Sequence, residues 1–261
     1  MKSRASGFII LVVLIVIICS SFVKSEHNLL PATDIKSYAN GLTEEGLSLI
    51  RAEAPREAIV VIDPGHGGID DGATDFNLKE KDICLDISLK LGELLKKDGI
   101  KTDFTRDKDN YVGLQDRANK ANKEHADLFI SVHINKLPEY PEVKGTEVLF
   151  APKQPYLNGM NSKRFADIVC SQIVDSLKTE DNGIKSRPEL AVLHRTDMPA
   201  IIAEIGYISN SADRSNLSDP DFRENAAHSL ATATEKALQM MGAKVNSDNK
   251  WMISSETDIK K

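Results

Sequence analysis

Four residues of this chain combine types and positions that could do chemistry. They are His66 in Val-Ile-Asp-Pro-Gly-His-Gly-Gly, Glu80 in Leu-Lys-Glu-Lys-Asp, His133 in Phe-Ile-Ser-Val-His-Ile-Asn and Glu204 in Ile-Ile-Ala-Glu-Ile-Gly-Tyr. Apolar runs of this kind read as buried strands, and open α/β sheets bind ligands just past the ends of such strands. Two imidazoles and one carboxylate make the protein ligand set of a catalytic zinc site, with a fourth place left for water. A second glutamate is then available as general base, and the reaction class is metal-assisted hydrolysis. Each residue also has a plainer reading. Either histidine can be a hydrogen-bonded structural residue, and Glu80 can be a first-turn glutamate facing a helix dipole. Glu147, the rival carboxylate, alternates with apolar neighbours and reads as solvent-facing. Glu204 is the hardest to dismiss, because leaving an unpaired charge on so apolar a strand is costly. His27, His125, His194 and His228 lack the strand-end context and read as surface or structural residues.

The elements that must position these residues follow from periodicity. Ala58–Ile62 is a β-branched run ended by Asp63-Pro64-Gly65. From Glu80 to Lys97, Ile83, Cys84, Ile87, Leu91, Leu94 and Leu95 recur at helical spacing, and Asp98-Gly99 stops the helix. Strands are expected at Lys101–Thr105, Asp127–Val132, Gly145–Phe150 and Ala200–Glu204, and helices at Gly113–Glu124, Asn161–Leu177 and Asp221–Met240. This alternation predicts a single α/β domain over 58–241. It has a mostly parallel, mixed sheet of about six strands with helices on both faces. Four residues remote in sequence then meet along one sheet edge.

Composition sets the boundaries. The chain has 261 residues, 41% apolar and 28% charged, as in a globular protein. A net charge of −6 argues against a nucleic-acid partner, which needs a basic face. Lys2 and Arg4 precede an uncharged stretch that ends at Lys24, so residues 1–25 read as a signal peptide or membrane anchor. The expected location is outside the cell membrane, either secreted or anchored. Residues 26–57 read as a connector and 242–261 as a polar, disordered tail. With three cysteines and no Cys-x-x-Cys pair, neither a disulfide framework nor a thiolate zinc site is expected, and Cys84 and Cys170 read as buried thiols.

The motifs together resemble the zinc-dependent N-acetylmuramoyl-L-alanine amidases of bacterial cell-wall turnover, the amidase-3 group. Those motifs are Ile-Asp-Pro-Gly-His-Gly-Gly, Leu-Lys-Glu-Lys-Asp, Thr-Arg-Asp, Asp-Leu-Phe-Ile-Ser-Val-His-Ile-Asn, Met-Pro-Ala and Glu-Ile-Gly-Tyr-Ile-Ser-Asn, spanning Ala58 to Met241. The resemblance implies Zn²⁺ held by His66, Glu80 and His133, with Glu204 as the catalytic glutamate. It also implies a peptidoglycan substrate, cut at the amide between N-acetylmuramic acid and L-alanine. The chain departs from the family pattern at Val192-Leu193-His194-Arg195, so no role passes to Arg195. Some members carry a long autoinhibitory helix where only Ala151 to Gly159 stands here, which predicts a site not blocked in that way. Two alternatives are a zinc peptidase cutting within the stem peptide and a catalytically silent wall-binding or regulatory module.

Overall fold

The computed structural model describes residues 55–152 and 159–254. Its strands are β1 (Arg56–Glu57), β2 (Ile59–Pro64), β3 (Thr74–Asp75), β4 (Leu78–Lys79), β5 (Lys101–Phe104), β6 (Leu128–Asn135), β7 (Thr146–Phe150), β8 (Asp181–Ser186), β9 (Ala200–Tyr207), β10 (Lys244–Val245) and β11 (Trp251–Ile253). Its helices are α1 (Glu80–Lys97), α2 (Leu114–Lys123), α3 (Ser162–Leu177), α4 (Ala191–His194), α5 (Ser211–Ser218) and α6 (Pro220–Met240). The main sheet runs β5-β2-β6-β9-β7-β8. The first four strands in that order are parallel, β7 is antiparallel to β9, and β8 is parallel to β7. This is the expected α/β domain with a mixed six-stranded sheet.

Side chains alternate between the two faces of a strand, so each strand sorts its residues into two sets. One set, with Val60, Ile62, Ile130, Val132, Ile201 and Ala203, is buried with Ile87 and Leu91 of α1, Phe165 and Val169 of α3 and Leu230 of α6. The other set, with Val61, Phe129, Ala200, Ile202 and Leu149, packs with Ala121 of α2 and Val192 and Leu193 of α4. Two short helices do not reach the end of that second face. There the same alternation continues with polar residues: Asp63 on β2, Ser131 and His133 on β6, Glu204 on β9 and Glu147 on β7.

Two expectations need correction, and one strand was not foreseen. The tail is not structureless over 244–253: β11 pairs antiparallel with both β1 and β10. Trp251 is buried and donates its indole N–H to the Asp98 carbonyl, so a short apolar strand stands within a polar stretch. The domain accordingly begins before Ala58, since Arg56–Glu57 is that strand's partner. The polar segment Asp181–Ser186, given no element from sequence, forms edge strand β8. No helix among the described residues is long and apolar enough to cross a membrane. The apolar segment before Lys24, most of the connector, and residues 153–158 of the segment expected to leave the site unblocked lie outside the described residues.

Candidate metal centre

His66 follows β2 in a turn where it adopts φ 58°, a left-handed conformation that a side chain rarely takes. Two buried arginines hold that turn. Arg117 donates to the carbonyls of Pro64 (2.7 Å) and His66 (2.6 Å), and Arg106 to those of Pro64 (3.0 Å) and Gly65 (2.7 Å). Arg117 also reaches Asp63 Oδ1 at 2.8 Å. Asp63, itself buried, accepts further bonds from Thr105 (2.5 Å) and Ser131 (2.6 Å). Lys81 secures the next stretch of loop, donating to the Gly68 carbonyl and pairing with Asp71 and Asp109. The residues after β2 are thus cross-braced to β5, α2 and β6.

Glu80 is the first residue of α1 and is buried. Its Oε1 lies 2.8 Å from His133 Nδ1 and accepts the Ile134 backbone N–H at 3.0 Å. Its Oε2 lies 3.1 Å from His66 Nε2 and accepts the Ala73 N–H at 2.7 Å. His66 Nδ1 in turn meets Asp70 Oδ2 at 2.8 Å, which fixes the ring's orientation. Burial opposes ionisation of Glu80, but its hydrogen bonds to His133 and His66 win and hold the carboxyl well below its usual range. Burial likewise opposes a charge on His66, and the bonds from Glu80 and Asp70 overcome it, pushing the imidazole up to about 9.

One ligand atom from each of His66, Glu80 and His133 lies within 4.8 Å of the others. Two glycines make room for them. A Cβ on Gly65 would stand 2.6 Å from the His133 ring, and one on Gly72 (φ +66°) would stand 2.6 Å from both Glu80 Oε2 and the His66 ring. The donor set of two imidazoles and a carboxylate, in a pocket kept open by missing side chains, fits a divalent cation of the zinc type.

Glu204 is the direct cross-strand partner of His133 on β9. Its Oε2 is buried and has no hydrogen-bond partner. Burial drives its carboxyl upward, against the pull of His133, and the neighbouring Glu80 and Glu147 add to the rise, to about 7. Glu147 does not face solvent as expected. It is buried opposite Glu204 in the β7–β9 register, where its Oε2 meets Lys185 Nζ (2.5 Å) and the Tyr207 hydroxyl (3.3 Å). His125, His194 and His228 are exposed, and Cys84 and Cys170 are buried free thiols.

All four residues singled out from the sequence therefore converge at one end of the sheet. Sequence reasoning passed over Asp70, Asp63, Arg106, Arg117, Lys185 and Tyr207. The available signals were the motifs that contain Asp63, Arg106 and Tyr207 and the placing of Asp70 four residues after His66; none marked Arg117 or Lys185.

Comparison with known proteins gives a consistent picture. A family model described as N-acetylmuramoyl-L-alanine amidase matches residues 60–236. The chain is 36% identical over 184 residues to YqiI of Bacillus subtilis, covering 70% of this chain and 86% of that protein. It is 32% identical over 175 residues to the N-acetylmuramoyl-L-alanine amidase LytC of Bacillus subtilis, covering 67% of this chain but 34% of LytC. The solved structure of the amidase AmiC2 of Nostoc punctiforme superposes with a TM-score of 0.66 at 31% identity, over 71% of this chain and 99% of AmiC2.

Proposed function

The chain belongs to the N-acetylmuramoyl-L-alanine amidase family, and on that premise we propose a zinc-dependent hydrolase in which His66, Glu80 and His133 hold the ion and Glu204 moves the protons. The substrate is peptidoglycan, and the bond cut is the amide between N-acetylmuramic acid and L-alanine. The observation that carries this reading is the alignment of Glu204, in register with His133, beside three ligand atoms that share one small volume.

When bound, zinc supplies a Lewis acid that polarises the scissile carbonyl and acidifies the attacking water. The chain's own residues do the rest. Asp70 orients His66 through Nδ1, so that Nε2 points at the centre. Glu80 is held by two backbone N–H groups and stays ionised, which suits an anionic ligand. Glu204 takes the proton from the attacking water and hands it to the leaving nitrogen. A general base is most effective when its pKa lies near the working pH, and Glu204 is pushed up to about 7. Residues 1–25 would carry the domain out of the cell or anchor it there, where the substrate is.

Digestion of purified peptidoglycan with and without a chelator, followed by mass spectrometry, tests the reading. Intact stem peptides released in a zinc-restorable reaction support it. Shortened peptides still attached to sugar would turn the assignment to a zinc peptidase. Binding to the wall with no product at any zinc concentration would turn it to a silent module.

A further inference from the structure

The polar row at the end of the sheet does not stop at Glu204. It continues onto the neighbouring strands as Glu147 on β7 and Lys185 on β8, in the order β9-β7-β8. Lys185 is half-exposed, while Glu147 beneath it is buried. The pair is asymmetric: a buried carboxylate, braced by the Tyr207 hydroxyl, holds an ammonium at the rim. The ammonium has three N–H donors, and with half of the side chain in solvent those not given to Glu147 can reach a ligand. The other basic groups near the centre are committed elsewhere. Arg106 and Arg117 are spent on backbone carbonyls and Asp63, and Lys81 on Asp71 and Asp109.

Spacing gives the ammonium a partner. Adjacent strands lie about 4.8 Å apart, so β8 is about 10 Å from the Glu204 strand, which is about three residues of extended peptide. The two sides of the scissile amide differ in charge. The lactyl carboxyl of the sugar is consumed in the bond, so charge on that side is gone, whereas the peptide side keeps free carboxylates. The opposite flank of the centre, by contrast, exposes apolar side chains: Ile69 after β2 and Tyr111 after β5.

Resting on the amidase reading above, we propose that Lys185 is a specificity-determining residue that binds a carboxylate of the substrate's peptide, two or three residues beyond the scissile amide. Glu147 positions it. The peptide then crosses β7 and β8, and the sugar lies towards β2 and β5.

The test uses the zinc-loaded full chain and two synthetic lactyl-peptides, one with a free carboxylate at the second residue of the peptide and one with a carboxamide there, each also made with the exchange at the third residue. The expected wild-type preference for carboxylate is about tenfold in kcat/KM, as for one charge-assisted hydrogen bond, and expressed in KM. Lys185→Met should bring that ratio to about one, and Lys185→Arg should restore most of it. Equal use of all carboxylate and carboxamide substrates by wild type, or an unchanged preference in Lys185→Met, overturns the subsite and leaves the amidase reading intact. Cleavage between peptide residues instead of at the lactyl amide overturns the amidase reading, and the proposal with it.

Discussion

Of the three glutamates at the centre, two are held by donors and one keeps an oxygen that is not. Both oxygens of Glu80 are taken, each by an imidazole and a backbone N–H, and Glu147 Oε2 is taken by Lys185 and Tyr207. A carboxylate so committed is a scaffold. Glu204 keeps a buried oxygen without a partner, and a group in that state can exchange protons. Glu204→Gln keeps the shape and removes the basicity. It should lower kcat by about 10²- to 10⁴-fold while zinc content, read by elemental analysis, stays at the wild-type value. Unchanged hydrolysis would remove Glu204 from its assigned role. The same residues make the metal-free protein sensitive to pH. His66, raised to about 9, contributes stability that is complete below its ordinary 6.5 and lost as pH climbs through 9. Glu204, raised to about 7, acts in the same direction. Glu80, held low, is ionised throughout this range and adds no slope. Thermal unfolding of chelator-treated protein should therefore show a midpoint that falls between pH 6 and 9.5. A flat or rising midpoint would show that the imidazole–carboxylate contacts do not persist without metal. Zinc added at pH 7 should displace protons from the histidines, measurable by titration calorimetry in buffers of different ionisation enthalpy.

At the scale of elements, the turn between β2 and the centre is built around a missing Cβ. Gly65→Ala would press a methyl into the His133 ring, with backbone on the other side braced by Arg106 and Arg117. Zinc affinity should fall by about 10- to 100-fold, as for other disturbances of ligand orientation, with the fold retained by circular dichroism. Wild-type affinity in this variant would mean that the ring has room the geometry does not show. The strands that carry the ligands were legible because burial on both faces demands unbroken apolar runs, and Val60–Ile62 and Leu128–Ile130 supply them. The helices were legible because α1 and α3 each repeat apolar residues every three or four positions. What escaped was set by partners distant in sequence. β8 is a polar edge strand that, among the described residues, pairs with β7 alone. Arg106 and Arg117 are ordinary charged residues until the carbonyls of the Pro64–His66 turn surround them. Glu147 read as solvent-facing because alternation shows that a strand has two faces, but not which of them another element covers. His66, Glu80, His133 and Glu204 were visible as a set because each reads as the end of an apolar run in the sequence, whereas the division of roles came from resemblance.

Across the whole domain, the two ends of the described chain support each other. Arg56 makes a two-pronged contact with buried Asp127 (2.6 and 2.8 Å), and β1 leads from there along β11. Trp251, buried and bonded to Asp98 at the end of α1, anchors β11 to the body. Trp251→Ala should cost about 3 kcal/mol, the low end for a buried aromatic, and lower the unfolding midpoint by roughly 10 °C. The centre is remote from this sheet, so zinc content at 25 °C should stay at the wild-type value. A shift under about 2 °C would show that β10 and β11 are an ornament to the fold.

The pairing of Arg56 with Ile253 has one more consequence. Partners across an antiparallel ladder sit only about 5 Å apart, so the stretch from Arg56 to Ile253 comes close to forming a ring. A linker of a few residues would join position 254 to 55 and allow new termini to be opened at an exposed turn. For the same reason, the whole domain should be portable as a cassette, spliced into a surface loop of an unrelated carrier without prising its ends apart.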